Sequence, residues 1–222
     1  MSRDFWNERY RRYELEWGLE PNKTCLVAAE ILPPGAEILD LSCGYGRDSL
    51  YLSRRGYQLT GLDLSQVAIE RATDLAAREN LLINFIRADF GEWDAQGKSF
   101  DAVLVFNLLQ MFDQPARQAF IDKMTALLKS GGLLILAAFS TEDPDYGRGT
   151  MVEDDTFKNE QGRLRHFYDR REMEEAFSAL KIMRLEEFSL SEHDHGYRKP
   201  HEHREWLIVA QNFHNGPSVT PS

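Results

Sequence analysis

The chain has 222 residues, with 26 Lys and Arg against 36 Asp and Glu, for a formal charge of −10; that length suits one domain with a real core, and the acidic balance argues against a sequence-independent grip on nucleic acid, which needs basic side chains to neutralise phosphates. No apolar run approaches the ~18 residues that span a bilayer, and the opening MSRDFWNERYRRYELEW lacks the apolar segment of a secretory signal. A cytoplasmic protein without a membrane partner is expected, its two cysteines, Cys25 and Cys43, reading as reduced thiols.

In chain order, Phe5 to Leu15 reads as an amphipathic helix, followed by a turn at Gly18 and Pro21. Thr24 is placed to cap a second helix, Cys25 to Leu32, which Pro33-Pro34-Gly35 stops. A first strand, Glu37 to Leu41, leads through a small-residue turn into a helix from Arg47 to Arg55, punctuated by Gly56. Gln58 to Leu62 is a second strand. Ser65 caps a helix whose Val67, Ala68, Leu75 and Ala76 recur at helical spacing. A third strand, Ile83 to Arg87, ends at Ala88-Asp89, and the turn Gln96-Gly97-Lys98 introduces a fourth, Asp101 to Phe106. Pro115 starts a helix that runs to Leu128, and Gly131-Gly132 leads into a fifth strand, Leu133 to Phe139. Thr141 to Leu164, rich in Asp, Glu, Gly and Arg, shows no obvious structure. Glu172 to Leu180 is a helix, and Ile182 to Leu190 and Arg204 to Phe213 are strands with no helix between them. Alternating β and α segments argue a parallel, doubly wound sheet, and two strands joined without a crossover helix pair most easily antiparallel. The tail from Asn215 to Ser222 is low in apolar residues and is expected to be disordered.

The most informative stretch is AEILDLSCGYGRDSLYLSRRGYQLTGLDL, residues 36 to 64. Strand, glycine turn, helix, strand and closing acid, Asp63, form the layout of a nucleoside-binding unit. Glycine at 44 and 46 lets the backbone approach a ligand closely or take positive φ, and Asp63 can accept from both hydroxyls of a ribose. A dinucleotide fits less well. A pyrophosphate site wants a third small residue and amides aimed at phosphates, whereas the third position is Ser49 and an acid, Asp40, stands just ahead of the glycines. Such a loop suits a ligand with an ammonium group and no phosphates, which describes S-adenosylmethionine.

The stretch ILDLSCGYGRDSLYLSRRGYQLTGLDLS resembles the first two motifs of class I S-adenosylmethionine-dependent methyltransferases. The family usually has glycine where Ser42 stands, so the backbone there is expected to stay out of glycine-only conformations. The resemblance implies an α/β fold, a Rossmann-like doubly wound seven-stranded sheet, mostly parallel with one antiparallel C-terminal strand. It implies that Asp63 holds the ribose, that Leu64 packs on the adenine, and that Asp89 accepts from its amino group beside Phe90. It also implies that Asp40, Ser42, Gly44 and Gly46 face the methionine portion, and that Asn107 and Leu108 line the methyl-transfer position. Residues 1–213 are then one methyltransferase domain, with 1–34 as a helical lid, 141–165 as an insertion covering the active site, and 214–222 as the tail.

The acceptor is narrowed by what is missing. The family's adenine amino-group methylators carry Asn/Asp-Pro-Pro-aromatic after the fourth strand, where this chain has Phe106-Asn107-Leu108-Leu109-Gln110-Met111-Phe112, and cytosine methylators use a Pro-Cys nucleophile that neither cysteine matches. A closer resemblance runs through Phe5-Trp6-Asn7-Glu8-Arg9-Tyr10, Gly44 to Leu52, Asp145-Tyr146-Gly147-Arg148-Gly149 and Gly162 to Tyr168. These segments look like the group around bacterial tellurite-resistance and thiopurine-type methyltransferases, which act on soft nucleophiles: thiols, selenium or tellurium oxyanions, halides. A small-molecule acceptor of that kind is the expectation, with no nucleic-acid partner and a monomer or homodimer. Side-chain methylation of a protein or peptide, and a cofactor-binding module without chemistry, are the alternatives.

Methyl transfer from a sulfonium asks for an in-line nucleophile about 3 Å from carbon in a dry pocket. Trp6 and Tyr10 can supply the lid, and Tyr146 and Arg148, in a long insertion of the kind that covers sites, can face the substrate; aromatic packing and a solvated turn are the plainer readings. Four of the six histidines lie between His193 and His203. By resemblance His193 and His201 fall where the tellurite group contacts substrate, and they are the candidate catalytic residues, although that group's partner arginine falls near Asp194. No metal is expected: imidazoles two apart on a strand face the same way, but methyl transfer needs none, and Gly196 to Pro200 reads as a solvent-facing hairpin tip.

Overall fold

The computed structural model describes residues 2–192 and 201–213. Ser2 caps the first helix, α1 (Arg3–Arg12), which ends earlier than its apolar pattern. Tyr13 turns extended, and the Arg71 guanidinium takes the carbonyls of Tyr13 and Glu14, so the chain folds back and Glu16 can clasp Arg9 through two hydrogen bonds of 2.5 and 2.8 Å. The second helix, α2 (Lys23–Ile31), is capped by Asn22, whose side chain accepts from the Thr24 amide. Thr24 is already inside the helix.

Five parallel strands follow with their helices: β1 (Glu37–Leu41), α3 (Arg47–Ser53), β2 (Gln58–Asp63), α4 (Gln66–Arg78), β3 (Ile83–Arg87), β4 (Phe100–Phe106), α5 (Gln114–Ala126) and β5 (Leu128–Phe139). Ser65 caps α4 and Asp113 caps α5, with Pro115 in the first turn. A short 3-10 helix, Leu109–Met111, lies between β4 and α5. Then come β6 (Thr150–Glu153), β7 (Thr156–Lys158), β8 (Leu164–His166), α6 (Arg170–Ala176), β9 (Lys181–Glu192) and β10 (His201–Gln211).

The main sheet has seven strands in the order β3-β2-β1-β4-β5-β10-β9. β1 to β5 are mutually parallel, while β10 runs antiparallel to both β5 and β9. The expected seven-stranded, Rossmann-like sheet with one antiparallel C-terminal strand is the sheet found. Strand alternation sends its residues to two cores. Val103, Val105, Trp206 and Ile208 pack with Met124, Met173 and Phe177 on one face, and Ala102, Leu104, Leu207 and Val209 with Cys25, Ala28 and Leu52 on the other.

The insertion after β5 is ordered, contrary to the sequence expectation. β6, β7 and β8 form a small antiparallel sheet, turned at Asp154-Asp155, where Asp155 takes φ 52°. Its strands are three or four residues long and largely polar, which hides their alternation. His166 ties this sheet to α6, bonding Thr156 Oγ1 at 2.8 Å and Glu172 at 2.9 Å. β9 and β10 also run longer than expected, so His201 and His203 sit on a strand; residues 193–200, which carry His193 and the expected hairpin tip, and the tail 214–222 lie outside the described residues. Among the described residues no helix is long and apolar enough to cross a membrane.

Candidate functional site

The carboxyl ends of the parallel strands open into a cleft of about 350 Å³, where the strand order reverses between β1 and β4. That switch point is where doubly wound sheets bind ligands. Asp63, the last residue of β2, organises its floor. Its Oδ2 accepts the Gly44 amide at 2.9 Å and its Oδ1 the Ser65 amide at 2.8 Å, so one carboxylate joins the glycine turn to the cap of α4. Burial pushes its pKa up to about 6 in spite of those donors. Two more turn amides are used: Cys43 N donates to Leu62 O and Gly46 N to Cys43 O, both at 2.9 Å.

Ser42 departs from expectation. It takes φ 57°, in the left-handed region. Gly44, at φ 57°, passes so close to α1 that a Cβ would come within 2.8 Å of the Tyr10 hydroxyl. Gly46 begins α3 at φ 82°, and a Cβ there would strike the Phe85 ring at 2.8 Å. Gly46 does not line the cleft; its smallness lets α3 seat against β3. Asp40 does line it, buried, and accepts the Ser49 hydroxyl at 2.5 Å. Burial, then the nearby Asp48 charge, raise its pKa to about 7.

Leu64, Asp89 and Phe90 line the part of the cleft beyond β2 and β3. The loop that carries the last two is stitched by Lys123, which donates to the carbonyls of Phe90 and Trp93 at 2.6 Å and of Gly91 at 3.1 Å. Over the turn lie Trp6, Arg9, Tyr10 and Trp17. Tyr10 packs edge-on against both Trp17 and Tyr45. The Tyr45 hydroxyl receives the Trp17 amide at 2.9 Å and donates to Gly18 O at 2.8 Å, and Asn7 Oδ1 accepts from Ser65 Oγ at 2.8 Å. The N-terminal segment is thus anchored both at the glycine turn and at the cap of α4.

The far wall comes from β4, β5, β8 and β10. Asn107, φ 55°, gives its side-chain amide to Glu205 Oε1 at 2.9 Å and takes one from Gln110 at 3.0 Å. Gln110 is 2% exposed, and its Oε1 has no hydrogen-bond partner among the described residues. Leu108, Phe139, Arg163, Leu164, Arg165, His201, His203 and Glu205 complete the wall. His201, His203 and Glu205 alternate along β10 and so share a face. His203 is buried, with Nδ1 2.8 Å from Asp143 Oδ2. Asp143 also accepts the amides of Arg204 at 2.9 Å and Asp145 at 2.8 Å. Burial pushes its carboxyl upward, but the bonds from His203 and the two amides outweigh that and hold it below the usual carboxylate range.

Of the residues singled out in the sequence, the cleft gathers Asp40, Ser42, Gly44, Asp63, Leu64, Asp89, Phe90, Asn107, Leu108, Trp6, Tyr10 and His201. It does not gather Tyr146 and Arg148. The Tyr146 hydroxyl bonds Asp155 at 2.6 Å and its ring packs on Phe157, while Arg148 is largely exposed and pairs with Asp145 at 2.6 Å. The insertion reaches the cleft through β8 instead, with Arg163 to Arg165. Asp143, Gln110 and Glu205 were not anticipated; of these only Glu205, in step with His201 and His203 along one strand, left a readable trace. Among the described residues no group of three or more His, Cys, Asp or Glu side chains is placed to hold a metal ion.

Residues 38–132 match the family model described as a methyltransferase domain. The chain is 28% identical over 140 residues to a ubiquinone biosynthesis O-methyltransferase of Coxiella burnetii, covering 63% of this chain and 58% of that one. It is 33% identical over 117 residues to a probable S-adenosyl-L-methionine-dependent methyltransferase, TehB, of Haemophilus influenzae, covering 52% of this chain and 40% of the other. It therefore spans less than two thirds of these relatives. Among solved structures, the Burkholderia thailandensis 1,6-didemethyltoxoflavin-N1-methyltransferase, holding that compound and S-adenosylhomocysteine, superposes with a TM-score of 0.72 at 19% identity, covering 94% of this chain and 85% of that one.

Proposed function

We propose, for a chain that carries a class I S-adenosylmethionine-dependent methyltransferase domain, that it methylates a small-molecule acceptor held at the far end of the cleft. The observation that carries the reading is the use of the turn amides. Cys43, Gly44 and Gly46 spend theirs inside the protein, so these three are not offered to a pyrophosphate, while Asp40, Asp63 and Asp89 line the same space. Acids placed at three successive strand ends suit ribose hydroxyls, an adenine amino group and a cationic amino-acid end.

S-adenosylmethionine, when bound, supplies a methyl group already activated as a sulfonium. The chain's own residues do the rest. Asp63 would hold the ribose, Leu64 and Phe90 the adenine with Asp89 at its amino group, and Asp40 with the turn from Ser42 to Gly44 the methionine end. Asn107 and Leu108 would line the transfer position, with Asn107 fixed between Glu205 and Gln110. Residues 1–213 are read as one domain. The segment 1–34 acts as a lid with Trp6 and Tyr10 excluding water, and β8 serves as the covering part of the insertion. The confined cleft favours a small acceptor over a protein side chain. Similarity to TehB supports a soft nucleophile such as a thiol, a selenium or tellurium oxyanion, or a halide.

Calorimetry should give micromolar or tighter binding of S-adenosylmethionine and none of NAD. A panel of thiols, halides, selenite and phenols should then release S-adenosylhomocysteine with at least one member. Micromolar NAD binding without S-adenosylmethionine binding would overturn the assignment.

A further inference from the structure

A ligand that ends in an amino acid brings a carboxylate as well as an ammonium group, and a carboxylate only accepts hydrogen bonds. Asp40 and Asp63 can answer the ammonium group but not the carboxylate. The amides of Cys43, Gly44 and Gly46 are spent inside the protein. Two arginines beside the turn are engaged as well. Arg9 clasps Glu16 through two bonds, and Arg47 donates to Trp17 O at 3.0 Å and lies 3.6 Å from Asp48. Tyr10 is placed differently. It lines the cleft, is 6% exposed, and packs edge-on against Trp17 and Tyr45. Its hydroxyl lies over Gly44, 2.8 Å from where a Cβ would stand there, and forms no hydrogen bond with any of the described residues. Burial, and after it the Asp63 charge, push its pKa well above the ordinary tyrosine value, so the hydroxyl keeps its proton and acts as a donor. A ring kept for packing alone needs no hydroxyl here. Phenylalanine would fill the same edge-on place without a polar group to desolvate.

We propose that the Tyr10 hydroxyl donates to the carboxylate of the cofactor's amino-acid end, so that α1 reads the part of S-adenosylmethionine that the acids of the turn cannot hold. Asp40 and Asp63 on the strand side and Tyr10 on the helix side then divide the two charges of that end between them. The bond joins ligand to cover. α1 is fixed at Ser65 through Asn7, and the segment after it at Tyr45 through Trp17 and Gly18; Tyr10 lies between these anchors and adds a third that exists only when the ligand is present. The cover therefore discriminates among adenosyl compounds. A ligand with a complete amino-acid end docks it, whereas one that keeps the adenosine, the sulfonium and the ammonium group but lacks the carboxylate does not. This role rests on the methyltransferase reading above, to which it adds a specificity-determining residue and a coupling between the cofactor and α1.

Two measurements on the full-length protein test it, and neither needs an acceptor. The first is titration calorimetry of wild type and Tyr10→Phe with S-adenosylmethionine and with decarboxylated S-adenosylmethionine, which differ by the carboxylate alone. Wild type should prefer the complete ligand. Tyr10→Phe should weaken S-adenosylmethionine about 10- to 100-fold and leave the decarboxylated ligand within about twofold. Equal losses for both ligands, or no loss for S-adenosylmethionine, would overturn the proposal and leave the methyltransferase reading standing. A wild type that binds neither ligand would overturn that reading and the proposal with it. The hydroxyl has no partner in the protein to lose, so the variant should melt as the wild type does without ligand. The second measurement does not depend on the variant. In hydrogen exchange on the wild type, S-adenosylmethionine should slow the amides of Arg3–Arg12, and the decarboxylated ligand at equal saturation should not. Equal protection by both, or protection by neither, would show that the carboxylate does not dock the cover and would also overturn the proposal.

Discussion

Three side chains at the glycine turn set the chemistry at the residue scale. Asp63 joins the turn to α4 and offers the only acid at the end of β2, so Asp63→Ala should weaken S-adenosylmethionine binding by about 2–3 kcal/mol, the loss expected for a charged acceptor on buried hydroxyls. Calorimetry giving unchanged affinity would remove it from the site. Asp40 makes the apo protein sensitive to pH. Its pKa is about 7 in the fold against about 4 in an unfolded chain, so between those values the native state binds the extra proton and stability falls as pH rises. Asp40→Asn, which keeps an acceptor for Ser49, should raise the melting temperature of the apo protein at pH 8 and change it little at pH 4; the reverse ordering would show the carboxyl to be ionised at little cost. Ser42, at φ 57°, bears about 1–2 kcal/mol of left-handed strain. Since glycine gives back part of that as unfolded-chain entropy, Ser42→Gly should stabilise by about 0.5–1 kcal/mol, read as a rise of about 1–3 °C in thermal melting.

At the scale of elements, the N-terminal helices are less a loose flap than a docked cover. α1 is held at Ser65 by Asn7, and the segment after it at Tyr45 and Arg47 through Trp17 and Gly18. Tyr45→Phe removes a hydroxyl that serves one donor and one acceptor and should cost about 1–2 kcal/mol of stability. If the cover matters for the ligand, affinity for S-adenosylmethionine should fall with it; a protein that melts earlier but binds as before would show that the ligand does not depend on this anchor. The β6–β8 sheet plays a matching part on the other side. Only β8 and the turn before it reach the cleft, while Tyr146 and Arg148 brace the sheet's outer face through Asp155 and Asp145.

For the whole molecule, the sheet order brings acids and arginines to one cleft, and among the described residues no group of three or more His, Cys, Asp or Glu side chains is placed to hold a metal ion. Purified protein should accordingly hold no stoichiometric transition metal, and chelation should leave its melting temperature and activity unchanged. Elemental analysis finding about one zinc per chain, lost in His201→Ala, would make the histidines of β10 a metal site instead.

What was legible in the sequence was whatever local chemistry dictates. The strands β1 to β3 follow from short apolar runs bounded by turn residues, the α4 boundary from a serine cap, and the turn at the cleft floor from an acid and two glycines at fixed spacing, because strand ends and tight turns are encoded within a few residues. The far wall of the cleft was not legible in the same way. Asp143 and His203 are 60 positions apart and meet only because β10 pairs antiparallel with β5, which brings Arg204 opposite Ser140 and puts the start of one strand beside the loop leaving the other. Gln110 enters the wall through a single 3-10 turn. Local pattern fixes which segments become strands and turns. Which side chains then face one another across the cleft is decided by strand order and register, and these are set by the packing of both cores at once.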